Sequence, residues 1–399
     1  MKNLVLYLAG SLLLMFGNNS FLMSNNKKMI TKDINLAVQQ IGRQVDIIEQ
    51  SSTFLNPRTV NDNKIQYIPS DDWTSGFFPG TMWHMYDLTG AEKWKKYAVK
   101  YTLRLDSIKY MTCHHDIGFI IGCSYGNAYR ITKNPAYKAV IIEAAKSLST
   151  RFRPAAGVIQ SWDENRGWQA KRAWMCPVII DNMMNLELLF KASDFSGDAS
   201  FKKIAISHAD QTMVNHFRKD YSCYHVVDYD KVKGGVRSKC TAQGYSDESA
   251  WARGQAWALY GYTVCYRETK DKKYLDFVSR IYNYIFSNKN MPDDLVPYWD
   301  FNAPNIPNEP RDASAAAVMA SALYELSTLG KPEYKKTADK IMESLSGPAY
   351  LAIVGTNSNF LLMHSVGSIP HGNEIDVPLN YADYYFLEAL AKKRNLEKH

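Results

Sequence analysis

Apolar positions along the chain fall into two kinds of block that alternate. Blocks of the first kind are apolar on nearly every face and rich in small and aromatic residues: Gly76 to Tyr86, Ile117 to Tyr129, Asn182 to Phe190, Gln255 to Tyr262 and Ser314 to Leu323. Helices apolar all round are buried helices. Blocks of the second kind, such as Glu92 to Arg104, place Lys and Arg along one face, which predicts helices on the outside.

The joins between the two kinds resemble one another. They read DLTGAEKWKKYA, RITKNPAYKAVI, DFSGDASFKKIA, RETKDKKYLDFV and TLGKPEYKKTAD, each a short polar turn followed by an aromatic anchor and a basic amphipathic segment. The anchors are Trp94, Tyr137, Phe201, Tyr274 and Tyr334. A recurrence of this length marks repeated helical hairpins. A sixth inner-type block, Tyr381 to Ala391, has no outer block after it, and the amphipathic block Leu36 to Glu49 has no inner block before it. Joining these two ends predicts a closed ring of six inner helices surrounded by six outer ones. Strand-like runs are short (Gly157 to Ser161, Cys223 to Val227, Val296 to Asp300) and read as elements within loops. With no low-complexity linker in the chain, residues 25–399 are expected to form one all-α domain.

Composition narrows the functional classes. The 399 residues are 46% hydrophobic and 22% charged, the profile of an ordinary globular protein. The 9 Trp, 26 Tyr and 16 Phe suit either an aromatic core or flat walls against the C–H faces of sugar rings. The formal net charge of +7 attracts acidic ligands without selecting one. No Arg-rich arm, zinc spacing or basic helix points to nucleic acid. Met1-Lys2-Asn3 ahead of the apolar run Leu4 to Phe16 has the layout of a signal peptide over residues 1–24, too short for a membrane span. No Cys follows that run to carry a lipid anchor, and no later stretch is long and apolar enough to span. A periplasmic protein is therefore expected, with secretion as the alternative. The six cysteines lack CxxC spacing and read mostly as buried free thiols, with Cys223 and Cys240 a candidate pair across a loop.

Candidate chemistry collects where the inner blocks begin: Asp72-Trp73-Thr74, His114-His115-Asp116, Ile180-Asp181-Asn182, Trp251-Ala252-Arg253 and Arg311-Asp312-Ala313. In a ring of parallel inner helices these starts meet at one end and form one pocket. Asp72, Asp116 and Asp312 each have an alternative reading as a helix N-cap. Asp181 follows Val178-Ile179-Ile180 and precedes a strongly apolar helix, so its ionised form is expected to be desolvated and its pKa raised, as a proton-delivering acid requires. His114-His115-Asp116 lacks the HExxH spacing and a third ligand, so no metal is expected. No nucleophile elbow, P-loop or dinucleotide fingerprint is present, so no cofactor is expected either.

These motifs carry a resemblance. DWTSGFFPG (Asp72 to Gly80), HHDIGF (His114 to Phe119), GVIQSW (Gly157 to Trp162), IIDNMMNLELL (Ile179 to Leu189), WARGQAW (Trp251 to Trp257), YWDF (Tyr298 to Phe301), RDASAAA (Arg311 to Ala317) and YADYYFLEAL (Tyr381 to Leu390) resemble glycoside hydrolase family 88, the unsaturated glucuronyl hydrolases, in order along nearly the whole chain. The resemblance implies an (α/α)6 barrel. It also implies hydration of the C4=C5 double bond that polysaccharide lyases leave on the non-reducing uronic acid of oligosaccharides, here of glycosaminoglycan type. It casts Asp181 as general acid and base and Asp116 as the acid that orients the sugar. His115, His225, Gln243, Arg253 and Trp257 would line the subsite, with Trp73 and Trp162 as aromatic walls. Ser365 and Ser368, in the loop HSVGSIPHGNE, are candidates for holding a sulfate. Two departures from the family pattern stand out: a long segment Asn165 to Cys176 ahead of the IID motif, and no Lys near Ser368. The alternatives are an unsaturated rhamnogalacturonyl hydrolase of the same barrel and chemistry, and a periplasmic glycan-binding protein without turnover.

Overall fold

The computed structural model describes residues 2–398, with side chains described from Asn26 onward. The expected leader, residues 1–24, lies outside the residues whose side chains are described. In chain order, helices of the outer and inner layers alternate. They begin with α1 (Lys2–Glu49) outside, α2 (Phe77–Thr89) inside and α3 (Glu92–Leu103) outside. Next come α4 (Ile117–Ile121) and α5 (Asn127–Thr132), joined by a π-helical turn over Gly122–Gly126 into one inner rod, and α6 (Pro135–Ser149) outside. Then follow α7 (Asn182–Ser196) inside, α8 (Ala199–Asn215) outside, α9 (Ala252–Thr269) inside and α10 (Lys272–Phe286) outside. The ring ends with α11 (Ala313–Thr328) inside, α12 (Tyr334–Leu345) outside and α13 (Asn380–Leu396) inside. Each inner helix packs against the next, and α13 packs against both α11 and α2, which closes the barrel. The apolar face of α1 (Ile30, Ala37, Ile41, Val45, Ile48) is buried beside α2 and α13, supplying the sixth pair.

The repeated joins have a common physical cause. A left-handed residue ends the inner helix at Gly90, Lys133, Gly197 and Lys270. The hydroxyl just before it, on Thr89, Thr132, Ser196 or Thr269, accepts the N–H of the residue that begins the outer helix, at 3.1–3.2 Å. Asn134, Asp198 and Asp271 then cap the outer helices through their side chains. The aromatic anchors Trp94, Tyr137, Phe201, Tyr274 and Tyr334 are all buried.

All the strands lie in the longer loops at the other end, where inner helices start. β1 (Pro57–Asn61) pairs with β2 (Lys64–Tyr67), and β3 (Phe152–Arg153) with β4 (Val158–Ile159). β5 (Pro177–Ile179), β6 (Val226–Tyr229) and β7 (Val236–Cys240) form a three-stranded antiparallel sheet. β8 (Ser365–Ser368) pairs with β9 (Asn373–Val377). The register of β6 against β7 sets Cys240 opposite Val226, so Cys223 lies beyond the pairing and both thiols are free, against the candidate disulfide. Among the described residues no helix is long and apolar enough to cross a membrane.

The inner helices approach closely where they carry glycine. A Cβ on Gly118 would lie 2.4 Å from Asn185 Oδ1 and 2.6 Å from its Cα, so α4 rests directly on α7 there. Gly118→Ala is expected to destabilise the fold by roughly 1–3 kcal/mol through overpacking, read as a shifted midpoint in urea unfolding.

Candidate active site

Six inner N-termini meet at one end of the barrel around a cavity of about 350 Å³. Trp73, Asp116, Trp162, Asp181, Gln243, Arg253 and Ser368 line it, all predicted from sequence. A shallower arm runs from Trp73, Asp116 and Trp162 toward Cys113, Arg166 and Gln169.

Acids at four inner-helix starts behave differently, and the difference separates structure from chemistry. Asp312 caps α11, accepting from Ser314 and Ala315 N–H groups at 3.1 and 3.4 Å. Asp72 accepts from the Thr74 N–H and hydroxyl at 2.8 and 2.7 Å. Asp116 and Asp181 occupy N-cap positions of α4 and α7, yet neither side chain caps its helix. Both carboxyls face the cavity instead, 8% and 7% exposed.

Each of these acids is backed by a histidine whose tautomer its neighbours set. Asn185 accepts the Phe119 N–H on Oδ1 at 2.8 Å, which turns its Nδ2 toward His115 Nδ1 at 3.3 Å. His115 therefore carries its proton on Nε2, 3.3 Å from Asp116 Oδ1. In the same way His225 Nδ1 accepts from the Ala242 and Gln243 N–H groups at 3.0 and 3.1 Å, leaving Nε2–H directed at Asp181 Oδ2, 3.7 Å away. Both imidazoles are buried behind the acids and do not line the cavity.

The two carboxyls are held in opposite states. Burial disfavours charge on both. At Asp116 the His115 and His114 imidazoles outweigh that cost, with His114 Nδ1 3.1 Å from Oδ2, and hold its pKa below the usual range. At Asp181 burial prevails, partly offset by Arg253 and reinforced by the charge of Asp116, and the pKa rises from 3.8 to about 7. Trp257, expected to line the subsite, is instead wholly buried and does not reach the cavity surface; its indole favours the ionised form of Asp181 from within the core.

Arg253, 1% exposed, is both structural and part of the wall. Its Nη1 donates to Asp312 Oδ2 at 2.9 Å and to the Val366 carbonyl, and its Nη2 to the Gly367 carbonyl at 2.6 Å. The guanidinium lies over the Trp251 ring at 4.4 Å. Of the two serines, Ser368 lines the cavity, with its hydroxyl 2.7 Å from His371 Nδ1. Ser365 does not: it is fully buried in β8, and its hydroxyl is not part of the cavity surface.

Sequence reasoning did not nominate Arg58, His371, Glu374 or Tyr381 for the wall. Arg58 of β1 holds Glu374 of β9 at 2.6 Å and Asp72 at 2.9 Å, a pairing across more than three hundred residues that no local pattern encodes. Trp168 belongs to the long segment 165–176. It packs on Trp162 (5.1 Å between centroids), Trp174 (5.7 Å) and His371 (5.1 Å), so the departure from the family pattern forms the outer roof of the cleft. Among the described residues no group of three or more His, Cys, Asp or Glu is arranged to hold a metal.

A double ring of helices with an ionised acid and a protonated acid facing one aromatic-walled cleft defines the class as a carbohydrate-active enzyme. The family model described as Glycosyl Hydrolase Family 88 matches residues 50–386, and the chain belongs to that family of glycoside hydrolases. It is 44% identical over 382 residues to an unsaturated glucuronyl hydrolase of Formosa agariphila, covering 92% of this chain and 94% of that protein. It is 32% identical to an unsaturated chondroitin disaccharide hydrolase of Streptococcus pyogenes, over 91% and 90% of the two chains. The crystal structure of an unsaturated glucuronyl hydrolase specific for heparin superposes with a TM-score of 0.88 at 46% identity, covering 93% of this chain and 98% of the other.

An acid with a raised folded-state pKa takes up its proton on folding, so its contribution to stability is full below the unfolded value of 3.8 and is lost as pH rises toward about 7. Asp181→Asn, which stays neutral, is therefore expected to match the wild type near pH 4 and to exceed it in stability above pH 7. Denaturant midpoints measured across that range check the sign.

Proposed function

We propose that this glycoside hydrolase acts as an unsaturated glucuronyl hydrolase on lyase-generated, glycosaminoglycan-derived oligosaccharides, with Asp181 as the working acid and base. The observation that carries the reading is the division of labour between two carboxyls in one cleft, Asp116 kept ionised and Asp181 kept protonated to about pH 7. The substrate class is supported by the relatives named for unsaturated glucuronyl and chondroitin substrates and by the neighbour specific for heparin.

The C4=C5 unit of an unsaturated uronic acid is a vinyl ether. Asp181 delivers its proton to C4, and positive charge develops at C5 and the ring oxygen. Water then adds at C5 as the Asp181 carboxylate takes up a proton, which restores the acid. The C5 hemiketal opens, leaving C1 as a hemiacetal that releases the leaving sugar as an alcohol. Ionised Asp116 accepts hydrogen bonds from the ring hydroxyls and fixes the ring against Trp73. Arg253 and the converging helix N-termini supply the positive field that the uronate carboxylate needs. The roof of Trp162 and Trp168, with Arg172 5.7 Å from the Trp168 ring, offers the leaving sugar an aromatic face and a positive edge suited to sulfate or carboxylate. The apolar run Leu4 to Phe16 supports export of the chain, and N-terminal sequencing of protein recovered outside the cytoplasm would test it.

Loss of the conjugated ultraviolet absorbance of unsaturated disaccharides, with release of the second sugar, is the expected activity. Pectin-derived disaccharides consumed in preference would transfer the assignment to a rhamnogalacturonyl hydrolase. Turnover is expected to fall about tenfold per pH unit above pH 7 as Asp181 ionises, and to persist on the acid side until Asp116 protonates. Asp181→Asn is expected to lower kcat by roughly 10²–10⁴-fold with the fold intact. Near-normal kcat in that variant removes Asp181 from the mechanism.

A further inference from the structure

The barrel holds a second cavity at the end away from the cleft. Where the inner helices finish, a chamber of about 280 Å³ opens among His84, Phe119, Gly122, Tyr260, Tyr384 and Lys392. Its charged wall is neutralised from within. Asp87 pairs with Arg130 at 2.9 Å and Arg394 at 3.2 Å, and Glu187 with Arg267 at 2.7 Å and Lys191 at 2.5 Å. Glu325 pairs with Arg267 at 2.8 Å and Lys392 at 2.9 Å, and Glu388 accepts from the Tyr260 hydroxyl at 2.8 Å. An ionic ligand would have to break one of these pairs to find a counter-charge.

His84 is the exception. It is 2% exposed, lines the chamber, and has no hydrogen-bond partner on either Nδ1 or Nε2. Burial pushes its pKa down to about 3, so the ring is neutral and presents one donor and one acceptor. Its ring meets Tyr384 edge-on at 4.8 Å. The π-helical turn Gly122–Gly126, a backbone form that recurs at functional sites, lines the same chamber. A Cβ on Gly122 would meet nothing within 4 Å.

We propose that this chamber is a second binding site, taking a neutral polyhydroxylated molecule of monosaccharide size between His84 and the tyrosine faces. A hydroxyl group both donates and accepts, which matches a neutral imidazole, and the C–H face of a sugar ring suits the aromatic lining supplied by Phe119, Tyr384 and Tyr385. The volume lies just below the roughly 300–1,000 Å³ of drug-sized pockets, which suits a single ring. Phe119 separates the chamber from the cleft, with its ring 5.6 Å from Trp73 and 5.2 Å from Trp257, so the bound molecule touches neither Asp116 nor Asp181.

The test is calorimetric titration of the full chain with N-acetylglucosamine, galactose and glycerol, together with a crystal structure in the sugar that binds. Saturable binding with sugar density beside His84 is expected. Gly122→Leu, which fills the chamber, is expected to weaken binding at least tenfold while leaving turnover of an unsaturated disaccharide within twofold. His84→Phe keeps the ring and removes both polar atoms; it is expected to weaken binding likewise and serves if the leucine variant does not fold. No saturable binding overturns the proposal. So does binding undiminished in the folded variants, which would put the sugar in the cleft, or a crystal with only ordered water beside His84.

Discussion

The cleft depends on ring closure, the packing of α13 between α11 and α2. The alternation of inner and outer helices makes all six inner helices run the same way, and closure then brings their N-termini and the loops before them face to face across the axis. Without it, Asp116 on α4, Asp181 before α7, Arg253 on α9 and Tyr381 on α13 would be remote from one another. The same geometry points six positive helix ends at one cavity and six negative ends at the other face. Asp116 and Asp181 sit at the N-terminal end, and the acids at the C-terminal end, Asp87, Glu187, Glu325 and Glu388, are each met by an Arg, Lys or Tyr. Arg130 and Arg267 occupy last turns at the C-terminal end, as do Lys393 and Arg394 of α13.

Within the cleft, two aspartic acids of similar exposure are driven to opposite protonation states by what their burial excludes and what it supplies. Asp116 receives two imidazoles, and Asp181 receives a second negative charge, a distant guanidinium and an imidazole too far for a good hydrogen bond. His115 and His225 are themselves held by donors to Nδ1, so the arrangement is set three groups deep. It rests on Asn185 and Phe119 for Asp116, and on the backbone of Ala242 and Gln243 for Asp181. The long segment 165–176 adds the outer roof of the cleft through Trp168.

Much of this was legible in the chain. The hairpin repeat was readable because its turn chemistry is local: a hydroxyl, a left-handed residue, a capping side chain and an aromatic anchor within a few positions. The all-round apolar character of the inner helices told buried from exposed, and the clustering of polar residues at their starts located the cleft. The raised pKa of Asp181 was readable because the residues that desolvate it flank it directly. The π turn within the second inner rod and the strand pairs β1–β2 and β8–β9 were not anticipated, since each depends on neighbours supplied by other segments.

The sequence by itself therefore determined the architecture and the family and nominated the two acids, through spacing within a segment and motifs in order. Tertiary structure alone decided that Asp312 and Asp72 hold the backbone while Asp116 and Asp181 do not. It also decided that Ser368 reaches the cleft and Ser365 does not, and that Arg58, Glu374 and Trp168 complete the wall. The physical reason is the same each time: a side chain's direction and charge state are set by groups that arrive from distant parts of the chain when the ring closes.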